Sequence, residues 1–69
     1  MRWRMKNNIS EQQKEILKLA AKGLINEAIA YELNISENTI KYHKKRIFKI
    51  LNVSSMAEAL SFAYENSII

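Results

Sequence analysis

Sixty-nine residues with no cysteine make one small domain that neither a disulfide nor a thiolate zinc site can staple. Its 48% apolar and 26% charged residues exclude a disordered tail, and one glycine without any proline excludes the turn-rich pattern of an all-β domain. The formal net charge of +4 suits a polyanionic partner, of which nucleic acid is the commonest. No apolar run approaches the roughly 18 residues of a membrane span, and the basic start has no apolar stretch behind it, so it is no signal peptide. A cytoplasmic, all-α protein is the expectation.

Residues 1–8 read as a loose N-terminal arm ahead of a folded unit over residues 9–69. In the arm, Trp3 with Arg2, Arg4 and Lys6 reads either as a DNA-touching segment or as a frayed terminus. Ser10-Glu11-Gln12-Gln13 is a capping box, in which serine accepts from the Gln13 amide and Gln13 reaches back. Behind it Ile16, Leu17, Leu19, Ala20 and Leu24 recur at helical spacing, and Gly23 suits a left-handed stop. A second helix is expected after Asn26 as N-cap. It carries Ile29, Ala30 and Leu33 and stops at Asn34, the next-best residue to glycine for a left-handed turn.

Ser36 caps a third helix running from about Glu37 to Leu51. At about 100° per residue, Ile40, Ile47 and Leu51 share one narrow arc. Asn38, Lys41, Tyr42, Lys45 and Lys49 spread over the opposite one. Asn52 repeats the asparagine stop, and Ser55-Met56-Ala57-Glu58 is a second capping box. It opens a fourth helix with Met56, Leu60, Ala63 and Tyr64 expected on its inner side. The short connection Asn34-Ile35-Ser36 joins helices two and three as a helix-turn-helix, with Ile35 tucked beneath. Five of the eleven basic residues (Lys41, Lys44, Lys45, Arg46 and Lys49) fall on the third helix, and no acid lies between Glu37 and Glu58. Such a run reads either as a solvated helix face or as a footprint for nucleic acid.

The chain from Ile9 to Ile69 resembles the LuxR-type (GerE-like) DNA-binding domain of bacterial regulators. The likeness is carried by Glu15-Ile16-Leu17-x-Leu19-Ala20-x-x-Gly23, by Asn26-x-x-Ile29-Ala30-x-x-Leu33, and by Ile35-Ser36-Glu37-x-Thr39-Ile40-Lys41-x-His43. It continues through Ile47-x-x-x-Leu51-x-Val53 to Glu58-Ala59. The chain departs from the family's usual residues at Gln12, Gln13, Glu27, Ala28, Ile50, Asn52 and Met56. The resemblance implies a four-helix domain whose third helix enters the major groove of duplex DNA. It implies a transcription regulator of the bacterial cytoplasm, at the nucleoid, and pairing of two copies through the fourth helix.

On that reading Lys41 and Lys45, one turn apart, donate to base edges. Tyr42 lies between them, its phenol aimed at a base edge or phosphate and its ring at a thymine methyl. Arg46 and Lys49 neutralise phosphate, which sets register rather than sequence. Thr39 and Asn26, near helix starts, touch the backbone. Lys44 lies nearer the core arc, where its stem can snorkel. His43 reads as a structural residue with one phosphate bond, since no second histidine stands by for a metal. The dimer contact is expected at Ala59, Phe62 and Asn66, with Phe62 alternatively folded back onto the arm.

No nucleophile elbow, glycine-rich phosphate loop or catalytic histidine–carboxylate pair is present. An enzyme, a cofactor and a metal are therefore not expected. Two other readings stay open: a sigma-factor region-four-like module acting through RNA polymerase, and an interaction module whose third and fourth helices bind a partner protein such as another regulator. An amphipathic helix on a membrane surface is disfavoured, because the core needs its apolar side. The chain either acts alone or is a fragment of a longer regulator.

Overall fold

The structure, a computed structural model, describes residues 9–69, so the expected arm lies outside it. Four helices and no strand occur among the described residues. They are α1 (Glu11–Ala21), α2 (Asn26–Leu33), α3 (Glu37–Leu51) and α4 (Met56–Glu65). The all-α four-helix expectation therefore holds. The Ser10 capping box forms in full, and Ser36 and Ser55 accept from the amides of Thr39 and Glu58.

Two starts differ from expectation. Ile25, not Asn26, is the N-cap of α2; it is extended at φ −80°, ψ 168° and makes no side-chain cap bond. Asn26 is already helical, and its Oδ1 is buried without a partner. At α4 the second box is only half made: Glu58 bonds the Ser54 N–H and hydroxyl instead of reaching Ser55.

The helix ends share one device. Each passes through a left-handed residue: Gly23 (φ 94°), Asn34 (57°), Asn52 (57°) and Ser67 (58°). The next residue then donates its amide five positions back. These bonds are Leu24 to Leu19 (3.3 Å), Ile35 to Ala30 (3.0 Å), Val53 to Phe48 (3.0 Å) and Ile68 to Ala63 (2.8 Å). The bond satisfies a carbonyl that a helix end leaves orphaned. It also turns an apolar side chain inward, and all four of these residues pack on the core.

That core joins Ile16 and Leu17 of α1, Ile29 and Ala30 of α2, and Ile40, Ile47 and Leu51 of α3. Ala59 and Ala63 of α4 complete it, with Ile9 and Ile68 at its ends. The inner side of α4 is therefore set by its two alanines. Met56 and Leu60 are only half-buried, and Tyr64, expected inside, is 60% exposed. Small side chains let α4 come close to α1 and α3. The outcome is an α3 with Ile40, Ile47 and Leu51 locked inside and its opposite side in water.

Candidate nucleic-acid interface

The outer side of α3 carries two rows at one-turn spacing. Lys41, Lys45 and Lys49 form one and Tyr42 with Arg46 the other, and all five are exposed. The eight steps from Lys41 to Lys49 at the helical rise span about 12 Å, close to the width of a B-DNA major groove. Arg46 lies over the Tyr42 ring, 5.8 Å from its centroid, a cation–π arrangement that orders the guanidinium before any ligand arrives. Tyr42 in turn meets the His43 ring edge-on, with centroids 5.4 Å apart and planes at 70°.

The charge pattern separates this side of α3 from α1. On α1, Lys14 pairs with Glu11 at 3.4 Å and Lys18 with Glu15 at 3.7 Å. Among the described residues no carboxylate pairs with Lys41, Lys45, Arg46 or Lys49. Their charge is thus uncompensated among the described residues. Lys44 is half-buried, and that burial holds its ammonium below the usual lysine range. Phe48, which sequence reading did not single out, joins Tyr42, Lys45, Arg46 and Lys49 around a shallow hollow on this side.

The candidate backbone contacts sit around this strip. Thr39 Oγ1 and Ser36 Oγ are 2.8 Å apart, and Ser36 Oγ also accepts the Thr39 N–H at 3.0 Å. One hydroxyl proton of the pair is shared between them and the other is left to donate outward. His43 is half-buried and meets Gln13 of α1. Asn26, also half-buried, has its oxygen inside, so only its NH2 is chemically suited to a phosphate.

The α4 residues fare unevenly. Ala59 is fully buried within the chain and has no surface to offer a second copy, which corrects its assignment to a dimer contact. Phe62 is half-buried and packs on the core rather than standing free. Asn66 uses its Nδ2 to donate to the Phe62 carbonyl at 2.9 Å. The surface left on this side is a hollow lined by Asn52, Val53, Glu58, Ser61, Phe62 and Glu65.

A short α2, a three-residue turn and an α3 that buries one side and presents unpaired cations on the other define a helix-turn-helix domain. The family described as "Bacterial regulatory proteins, luxR family" matches residues 7–63, and the chain belongs to it. It is 37% identical over 62 residues to the nitrate/nitrite response regulator protein NarL of Escherichia coli K12, covering 90% of this chain and 29% of that protein. It is 36% identical over 62 residues to the regulatory protein SdiA of the same strain, covering 90% and 26%. The transcriptional regulatory protein YdfI of Bacillus subtilis 168 is 35% identical over 66 residues, covering 96% and 31%. The chain thus spans less than a third of the length of these relatives. Among the described residues no helix is long and apolar enough to cross a membrane.

Proposed function

We propose that the chain binds duplex DNA sequence-specifically as the DNA-reading domain of a transcription regulator, with α3 in the major groove. Lys41, Tyr42 and Lys45 face base edges. Arg46 and Lys49 meet phosphates on either side, and Thr39, His43 and the Asn26 amide engage the flanking backbone. The observation that carries this reading is the set of four exposed cations on α3 with no carboxylate partner among the described residues. Free cations at one-turn spacing fit a phosphate-lined groove, and leaving them unpaired has no benefit for the fold. Selection of bound fragments from random duplex DNA tests it. A recovered motif supports the reading, and uniform recovery of all sequences removes it.

Two copies pair on the duplex, in this proposal, through the outer side of α4 around Phe62 and Ser61. One helix-turn-helix covers too little DNA for high affinity at physiological salt, and joining two raises effective concentration. Such pairing predicts a recovered motif with two half-sites.

A second reading, contact with a partner protein such as RNA polymerase or another regulator, draws on α2. Its N-cap Ile25 (67%) and its Tyr31 (85%) are exposed, as are Glu27 and Glu32, a chemistry opposite to that of α3. Tight binding of a protein without a DNA motif would favour it.

A further inference from the structure

Gln13 is 4% exposed, the one buried polar side chain among the described residues, and both ends of its carboxamide are engaged. Oε1 accepts the Ser10 N–H at 3.0 Å, while the Gln13 backbone N–H donates to Ser10 Oγ at 3.1 Å. That bond fixes which way the amide faces. With the oxygen turned to the helix start, the NH2 is the group 3.2 Å from His43 Nδ1. An NH2 only donates, so Nδ1 is the acceptor and the proton of the neutral ring sits on Nε2. Among the described residues Nε2 makes no hydrogen bond. The one buried, unpartnered polar side-chain atom among the described residues is Asn26 Oδ1. No described residue therefore closes off the His43 Nε2–H, which lies on the residue next to Tyr42 in the exposed strip of α3.

We propose that Gln13 is a positioning residue of the DNA interface, holding His43 as the Nε2–H tautomer so that a neutral imidazole donates to a backbone phosphate. A phosphate oxygen only accepts, so the other tautomer would meet it lone pair to lone pair. The same contact steadies the ring that Tyr42 meets edge-on, and through Tyr42 the guanidinium of Arg46. The first turn of α1, outside the helix-turn-helix, thereby sets a donor on α3. The identity of the acceptor rests on the DNA-binding reading; the tautomer does not.

Gln13→Glu is a discriminating variant, because glutamate also completes a capping box but accepts from histidine instead of donating to it. It keeps the helix start and turns a bare Nε2 outward. Gln12→Glu, one position earlier and exposed, adds the same charge without touching His43. Long-range proton–nitrogen NMR of the free chain reads the tautomer, and titration of a selected duplex at about pH 8.5, above the ordinary imidazole range, reads affinity. The expected result is Nε2–H in the wild type and Nδ1–H in Gln13→Glu. Gln13→Glu should weaken DNA binding about tenfold and Gln12→Glu no more than about twofold. In a His43→Ala background the two should become equal. A wild-type Nδ1–H tautomer, or equal losses from Gln13→Glu and Gln12→Glu in the native background, overturns the proposal. A wild type that shows Nε2–H yet binds no duplex overturns the DNA-binding reading, and the phosphate-donor role with it.

Discussion

Lys49→Ala should change how DNA binding responds to salt more than it changes which DNA is bound. Lys49 lies in the last turn of α3, exposed and without a carboxylate partner among the described residues. Each phosphate neutralised on B-DNA contributes about −0.9 to the slope of log K against log salt. Removing one per chain should flatten that slope by about 0.9 on a single half-site and about twice that on a full site. From about 50 to about 200 mM salt, one such contact accounts for a 3- to 4-fold part of the affinity loss. Fluorescence anisotropy with a selected duplex and a scrambled one reads both quantities. Lys49→Ala should weaken the two alike. Lys45→Ala should lose about 1–3 kcal/mol on the selected duplex and relax one or two positions. Lys18→Ala, at a lysine already paired with Glu15, is the control and should leave the slope unchanged. If Lys18→Ala flattens the slope as much as Lys49→Ala does, the domain binds through its net charge and the α3 strip has no special part.

Tyr42→Val removes the aromatic row and the seat of Arg46, so sequence selection should return a different base at the neighbouring step; identical motifs would take Tyr42 out of the readout. Ser61→Glu sets a third acid between Glu58 and Glu65 on the outer side of α4. It should abolish cooperative binding to a two-half-site duplex while sparing single-site affinity, and retained cooperativity would place the dimer contact elsewhere. The Glu58 carboxylate, bonded by the Ser54 N–H at 2.7 Å and hydroxyl at 3.0 Å, is held below the usual range by those bonds. Its contribution to stability is present above the unfolded carboxylate value and lost as pH falls through the lowered folded one. The melting-temperature gap between wild type and Glu58→Gln should therefore shrink from about pH 6 to about pH 3, and a widening gap would contradict the assignment. Asn34→Ala removes the short polar side chain that makes the left-handed turn tolerable and should cost about 1 kcal/mol or more, against near-neutrality for Asn34→Gly; equal denaturation midpoints would show that the turn is not strained.

The helices were legible in the sequence because their signals are local. Serine caps, periodic isoleucines and asparagine stops act within one turn, and Gly23, Asn34 and Asn52 all adopt the left-handed conformation their chemistry suits. Ser67 does so as well, although serine has no comparable preference; there the Ile68 amide bond and the burial of Ile68 impose it. A hydrophobic arc ranks Met56 and Leu60 above Ala59, yet Ala59 and Ala63 form the inner side of α4. Close packing prefers the smaller residue, which hydropathy does not register. Side-chain chemistry makes Asn26 a cap candidate, yet the N-cap needs extended backbone, and that falls at Ile25. The cation strip on α3 could be read from spacing alone. The Gln13–His43 bond could not, since it joins residues thirty positions apart that only folding brings together.

The repeated helix ending separates two duties of the chain. Gly23, Asn34, Asn52 and Ser67, with Leu24, Ile35, Val53 and Ile68 behind them, determine where each helix stops and how the next one leaves. None of these residues belongs to the outer rows of α3. Exposed side chains away from caps and packing typically change stability by no more than about 0.5 kcal/mol when substituted. Lys41, Tyr42, Lys45, Arg46 and Lys49 can therefore drift through sequence space while the scaffold stays folded, so a lineage built on this architecture can acquire new target sites by point mutation without first acquiring stabilising changes elsewhere.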